Sequence, residues 1–266
     1  MVEDGRRTEL RQVLSALEDI LVRVGEGGNQ TLSVAAAPLD FAAARPTEES
    51  ASSAAASNES PMEGAPTARP SRANETPRHV SEYATLEALQ FAFRDCMTCK
   101  LGAGRNRLVF GTGSSRPGLL FIGEGPGAEE DAQGLPFVGR AGALLTGFIA
   151  ALGLTRADVY ITNVVKCRPP GNRTPEPDEV SSCRPILIRQ IELLAPRLIV
   201  TLGNVPLRAL NPQAAGITKE RGRTFPFLRW TVLPTFHPSY LLRNPRDIQT
   251  CWLDFRDAFR NVYPRS

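Results

Sequence analysis

Leu119-Leu-Phe-Ile-Gly-Glu-Gly-Pro-Gly-Ala-Glu-Glu-Asp131 reads as a short strand, a tight glycine turn and the first turn of a helix. Four consecutive large apolar residues without alternation suit a strand covered on both faces. Glycines directly after it let backbone come close to a ligand. An ordinary strand-to-helix turn has the same signature. The lysine and hydroxyl of a Gly-x4-Gly-Lys-Ser/Thr phosphate loop are missing, so that chemistry is excluded. Glu129, Glu130 and Asp131 fit the positive end of a helix dipole.

Similar apolar runs recur downstream. Val159-Tyr-Ile-Thr-Asn-Val-Val, Leu198-Ile-Val-Thr-Leu-Gly and Thr231-Val-Leu-Pro-Thr-Phe predict three more strands. Gly142 to Leu152 predicts a helix ended by Gly153. Pro175 to Ala195 predicts another, capped by Thr174, with Pro175 at its first position and a kink or break at Pro185. A short amphipathic helix is expected through Leu86, Leu89, Phe91 and Phe93. Strand–helix alternation predicts an α/β fold: three layers, α/β/α, around a four-stranded, mostly parallel central sheet. Ligands of such sheets bind beyond the carboxyl ends of the strands. Gly123 to Gly125, Asn163 and His237 all fall there.

The N-terminal third has a different composition. Ala, Ser and Pro occupy 26 of the 50 positions from Thr31 to Val80, leaving too few large apolar residues to offset the entropy of ordering. Three segments are therefore expected: an amphipathic helix in residues 1–26, a disordered linker over 27–80, and a folded domain over 81–266. Leu10, Val13, Leu14, Leu17, Ile20, Leu21 and Val24 recur at helical spacing, between Thr8 as cap and Gly25 as stop. That stripe suits docking on the domain, self-association or a protein partner. The net charge of +3 does not by itself establish a nucleic-acid partner. No basic and apolar leader opens the chain, and no run reaches the ~18 apolar residues of a membrane span. A cytoplasmic protein is expected.

Cys96-x2-Cys99, Cys167 and Cys183 have the spacing of a four-sulfur metal site, favoured over disulfides where thiols stay reduced. Unrelated buried thiols are the alternative, and Cys251 reads as core. Of the two histidines, His79 lies in the linker and His237 follows the fourth strand, ahead of a stiffening proline. Lys166-Cys-Arg-Pro-Pro-Gly-Asn-Arg173 is a basic loop, suited either to phosphate contact or to solvent.

Taken together, Gly123-Glu-Gly-Pro-Gly127, Pro136-Phe-Val-Gly-Arg-Ala-Gly142, Thr162-Asn-Val-Val-Lys-Cys-Arg-Pro-Pro170 and His237-Pro-Ser-Tyr-Leu-Leu-Arg243 resemble the iron–sulfur, or family 4, uracil-DNA glycosylases. The resemblance runs from about Tyr83 to Tyr263. It implies hydrolysis of the N-glycosidic bond of uracil in single- and double-stranded DNA, which leaves an abasic site and starts base excision repair. The base must first leave the stack. By resemblance, uracil stacks on Phe137, Asn163 reads its edge, and His237 donates to O2 as charge develops there. Glu130 packs near C5 against a thymine methyl, the backbone at Gly125 completes the pocket, and Glu124 gives electrostatic support to catalysis. Arg168, Arg173, Leu241 and Arg243 contact the DNA, with a leucine as wedge. Cys96, Cys99, Cys167 and Cys183 hold a 4Fe-4S cluster, with zinc as the alternative. The catalytic domain is expected to be monomeric.

Two rivals compete with this reading. A covalent or non-catalytic uracil-DNA binder of related type carries an Arg/His-rich insertion after the glycine loop. Here Phe137-Val-Gly-Arg-Ala-Gly leads straight into the helix, and no histidine lies between His79 and His237. The other rival is a zinc-stabilised nucleic-acid-binding module. The domain boundary makes a prediction: deleting Met1 to Val80 leaves cooperative unfolding of the remainder intact. A molten or insoluble product would place the leading segment inside the domain.

Overall fold

A computed structural model of the chain describes Ser15 and residues 79–262. The expected leading helix and almost all of the linker lie outside the described residues, Ser15 aside.

The architecture follows from the buried strands. In chain order the domain holds α1 (Leu86–Phe93), α2 (Leu101–Gly104), β1 (Thr112–Gly113), β2 (Leu119–Gly123), α3 (Ala128–Gln133), α4 (Arg140–Ala151) and β3 (Tyr160–Asn163). Then come α5 (Pro177–Leu194), β4 (Leu198–Leu202), α6 (Asn204–Leu210), α7 (Ile217–Glu220), β5 (Phe225–Phe227), β6 (Trp230–Thr235), α8 (Pro238–Arg243) and α9 (Ile248–Val262). The sheet order is β1-β3-β2-β4-β6-β5. β3, β2, β4 and β6 are mutually parallel, while β1 and β5 pair antiparallel at the two edges. The four expected strands are thus the centre of a six-stranded mixed sheet, which corrects the four-stranded expectation. The two edge strands span two and three residues, too short to show a periodic pattern.

Every residue of β2, β3 and β4 is buried, because the pleat sends neighbours into two different cores. Leu119, Phe121, Ile161, Val200 and Leu233 pack with the apolar faces of α4 and α9. Leu120, Ile122, Tyr160, Ile199 and Val232 pack against α1 and α5 on the other side. Helices therefore flank the sheet on both faces. Helix α5 starts at Pro177, with Glu176 as its N-cap, not at Pro175 after Thr174. The Glu179 carboxylate accepts from the Glu176 amide at 2.7 Å and fixes that start. The helix runs on through Pro185 without dividing.

β2 sits at the point where the chain reverses its direction of winding: β3 is laid on one side of it and β4 on the other. The loops leaving β2, β3, β4 and β6 therefore meet at one edge of the sheet. The aromatic core beneath them includes Phe255, whose ring lies 5.1 Å from Phe148 and 5.9 Å from Phe121 between centroids. Phe255→Ala is expected to cost about 3–5 kcal/mol of stability, read from urea unfolding. A cost under about 1 kcal/mol would remove this ring from the core.

Candidate active site

Gly123, the last residue of β2, has no room for a side chain. A Cβ there would come within 2.5 Å of Phe137 Cζ and would also strike Asn163 Oδ1. The bare backbone at Gly123 therefore lets the Phe137 ring and the Asn163 carboxamide meet over one residue. β3 places Asn163 beside Gly123 in register. At the end of β4, Gly203 (φ +95°) accepts the approach of His237, whose Cβ would lie 3.3 Å from a Cβ at Gly203. The rings of Phe137 and His237 stand 5.6 Å apart. Three residues expected from the sequence to form one site are therefore neighbours.

Their chemistry is unequal. Asn163 is buried, and its Oδ1 accepts no hydrogen bond. An acceptor without a partner in a closed environment costs about 1–3 kcal/mol, and a ligand donor would recover it. The backbone carbonyl of Asn163 is held by Lys166 Nζ at 2.6 Å, which also donates to Thr162 Oγ1 (2.7 Å) and Gln190 Oε1 (2.5 Å). Burial brings the pKa of the Lys166 ammonium down to about 7. The sequence presents Lys166 only as part of a basic loop. Its full burial, which no residue pattern announces, makes it the anchor of Asn163.

His237 caps α8. Its Nδ1 accepts from the Ser239 amide at 3.1 Å and lies 2.7 Å from the Ser239 hydroxyl. An amide N–H can only donate, so the neutral ring carries its proton on Nε2. Desolvation, with Arg243 adding repulsion, lowers its pKa to about 4. The site thus offers a neutral imidazole N–H through the physiological range.

Phe137 is 7% exposed, and its φ of +53° is uncommon for a bulky residue. Its neighbours on the chain are held from two sides. Glu130 Oε1 accepts from the amides of Val138 and Gly139 at 3.0 Å each, and Oε2 accepts from Gly127 at 3.0 Å. Arg156 donates to the carbonyls of Pro136 (2.7 Å) and Phe137 (3.1 Å). Sequence reasoning misses Arg156, because it lies in the turn between α4 and β3 and belongs to none of the quoted motifs. Glu124 is half-buried. Desolvation raises its carboxyl above the usual range, and a hydrogen bond with the Thr174 side chain opposes that. The Gly125 backbone is pressed against Val165: a Cβ at Gly125 would lie 2.7 Å from Val165 Cγ2.

The expected DNA contacts divide. Arg243 is exposed, and Arg168 is partly so, with Nε bonded to Asn172 Oδ1 at 2.7 Å. Arg173 forks onto Glu179 at 2.7 and 2.9 Å, which holds that carboxyl down at about 2. Its charge is therefore largely neutralised within the protein. Leu241 is fully buried in the core and cannot serve as a wedge; Leu242 is the partly exposed leucine of α8. Helical geometry decides between the two neighbours, and sequence alone does not.

Cys96, Cys99, Cys167 and Cys183 line one small cavity with Phe110 and Lys166. Yet among the described residues no group of three or more His, Cys, Asp or Glu side chains is arranged to hold a metal ion. This overturns the expected iron–sulfur cluster and its zinc alternative. All five cysteines are free. Burial raises the thiols of Cys167 and Cys183, the latter to about 11, which favours their protonated form. Arg105 reaches into the same region, 3.5 Å from Cys167 Sγ and bonded to the Cys96 carbonyl. Spacing along the chain does not reveal how the four thiols are presented to one another.

At the carboxyl edge of the parallel strands an aromatic ring, a buried amide oxygen without a hydrogen-bond partner and a neutral imidazole donor stand together. Residues 110–261 match the model of the uracil DNA glycosylase superfamily. The chain is 48% identical over 161 residues to the type-4 uracil-DNA glycosylase of Thermotoga maritima, covering 60% of this chain and 84% of that protein. It is 44% identical over 183 residues to that of Saccharolobus solfataricus (64% and 83%) and 38% over 182 residues to that of Archaeoglobus fulgidus (64% and 92%). The chain belongs to the uracil-DNA glycosylase superfamily, among the type-4 enzymes.

The lowered His237 pKa carries a stability consequence. Between pH 6.5 and about 4 the unfolded chain binds a proton at this position that the folded chain refuses. Its contribution is therefore full above pH 6.5 and is lost as pH falls towards 4. Lowering pH from 7 to 4.5 should cost the wild type roughly 1–3 kcal/mol more than His237→Gln, measured by denaturant unfolding. Equal losses in the two proteins would contradict the assignment.

Proposed function

We propose that this protein is a DNA-repair hydrolase that cleaves the N-glycosidic bond between uracil and deoxyribose in DNA and leaves an abasic site. The observation that carries the assignment of roles is the buried Asn163 Oδ1 without a donor, next to Phe137 and His237. A uracil extruded from the stack would lie against the Phe137 ring. Its N3–H would donate to Asn163 Oδ1, and the Asn163 amide would donate to O4. Cytosine presents the reverse pattern, an acceptor at N3 and a donor at N4, so a carboxamide held in the orientation that suits uracil disfavours it.

As the glycosidic bond lengthens, negative charge gathers on the leaving base and positive charge on the sugar, whose C1′ then bonds a water oxygen while one water proton balances the uracil anion. The Nε2–H of neutral His237 would donate to O2 and stabilise that charge more in the transition state than in the ground state. Neutrality suits this role, because the group supplies a hydrogen bond and keeps its proton. The desolvated Glu124 would supply negative charge towards the cationic sugar, with the Gly125 backbone closing the pocket. Bulk water would have to reorient as charge develops; these groups are already in place.

DNA would run across the carboxyl edge of the sheet. We assign backbone contact to Arg168 and Arg243, and the apolar contact beside the gap to Leu242. Such contacts make affinity fall with salt. Among the described residues no helix is long and apolar enough to cross a membrane. The five free thiols suit the reducing cytoplasm. Catalysis is assigned to residues 81–266 acting as a monomer.

The test uses single- and double-stranded oligonucleotides bearing one uracil, followed by alkaline cleavage of abasic sites. Wild type should give strand breaks on both. His237→Ala should lose on the order of 10²–10³ in rate while remaining folded, the cost typical of one such donor. Asn163→Asp should lose selectivity against cytosine. Absence of breaks from wild type on either substrate would overturn the assignment, and full turnover by His237→Ala would remove the imidazole from it.

A further inference from the structure

Phe137 occupies a backbone conformation that a bulky side chain adopts only when its surroundings over-determine it. The surroundings are specific. On the carbonyl side, the Arg156 guanidinium spans the Pro136 and Phe137 oxygens at 2.7 and 3.1 Å and also reaches Thr146 Oγ1 at 3.2 Å. Thr146 in turn bonds the Gly142 carbonyl at 2.9 Å, and Gly142 leaves no space for a Cβ against the Phe137 carbonyl. On the amide side, Glu130 takes the next two N–H groups, at Val138 and Gly139, and ties them to Gly127 of the glycine loop. Arg156 itself sits in a turn locked by Asp158, which accepts from the Thr155 amide at 2.8 Å and its hydroxyl at 2.7 Å. The chain on both sides of Phe137 is therefore gripped, carbonyls by a cation and amides by an anion.

We propose that Arg156 is a positioning residue for uracil excision: with Glu130 it clamps the Phe137 peptide in its left-handed conformation and so presents the ring face on which the extruded base stacks. The inference rests on the base-stacking role of Phe137 given above. The planar fork matters more than the charge, because one ammonium cannot span two carbonyls with the same geometry.

A double-mutant cycle separates this role from general stabilisation. kcat and KM on a uracil-containing single-stranded oligonucleotide are measured for wild type, Phe137→Ala, Arg156→Ala and the double variant. Arg156→Ala should lower kcat/KM by about tenfold or more in the wild-type background and by less than about twofold in the Phe137→Ala background. Arg156→Lys should recover only part of the loss, and should also lose its effect when Phe137 is absent. It serves as the probe if Arg156→Ala does not fold. Multiplicative losses in the double variant, or complete rescue by lysine, would overturn the clamp while leaving the stacking role intact. Unchanged activity of Phe137→Ala alone would overturn the stacking role, and the clamp with it.

Discussion

The site depends on the exclusion of a side chain at the end of β2. Gly123 is where the Phe137 ring and the Asn163 carboxamide converge, and a methyl group there would collide with both. Parallel pairing makes this convergence possible. β3 lies on one side of β2 and β4 on the other, so the turns that follow them open onto a common edge. His237 arrives from β6, two strands away, through the space left at Gly203. Side chains from distant parts of the chain thus meet because two glycines leave room for them.

Polar groups then set the chemistry. Lys166 holds the Asn163 backbone carbonyl, the Ser239 amide holds His237 Nδ1, and the Glu130 carboxylate holds the amides after Phe137. Such support is what keeps a cradle at one geometry instead of an average over several. It also fixes protonation. The imidazole stays neutral because desolvation and Arg243 both oppose its charge, so it can donate from Nε2 without acting as an acid.

Much of this is legible in the sequence, and the reasons are physical. Strands buried on both faces leave uninterrupted apolar runs, and four such runs locate the parallel centre of the sheet. Glycines and a histidine directly after those runs locate the edge where Phe137, Asn163 and His237 meet. The edge strands are not legible, since Thr112–Gly113 and Phe225–Phe227 are too short to carry a period. Nor are partners set by three-dimensional proximity. Arg156 on Phe137, the burial of Lys166 and the inward turn of Leu241 depend on how helices and loops rotate, which spacing does not encode. The four cysteines illustrate the same limit from the other side. Their spacing suggests a metal site, and the fold does gather them at one cavity, but as free thiols without a ligand set among the described residues.

The most direct measurement is a crystal structure of the protein bound to uracil released from DNA. The pyrimidine ring should lie against Phe137 with N3 within hydrogen-bond distance of Asn163 Oδ1 and O2 facing the Nε2 side of His237. A uracil bound away from these three residues, or one held with Asn163 Oδ1 still lacking a donor, would contradict it.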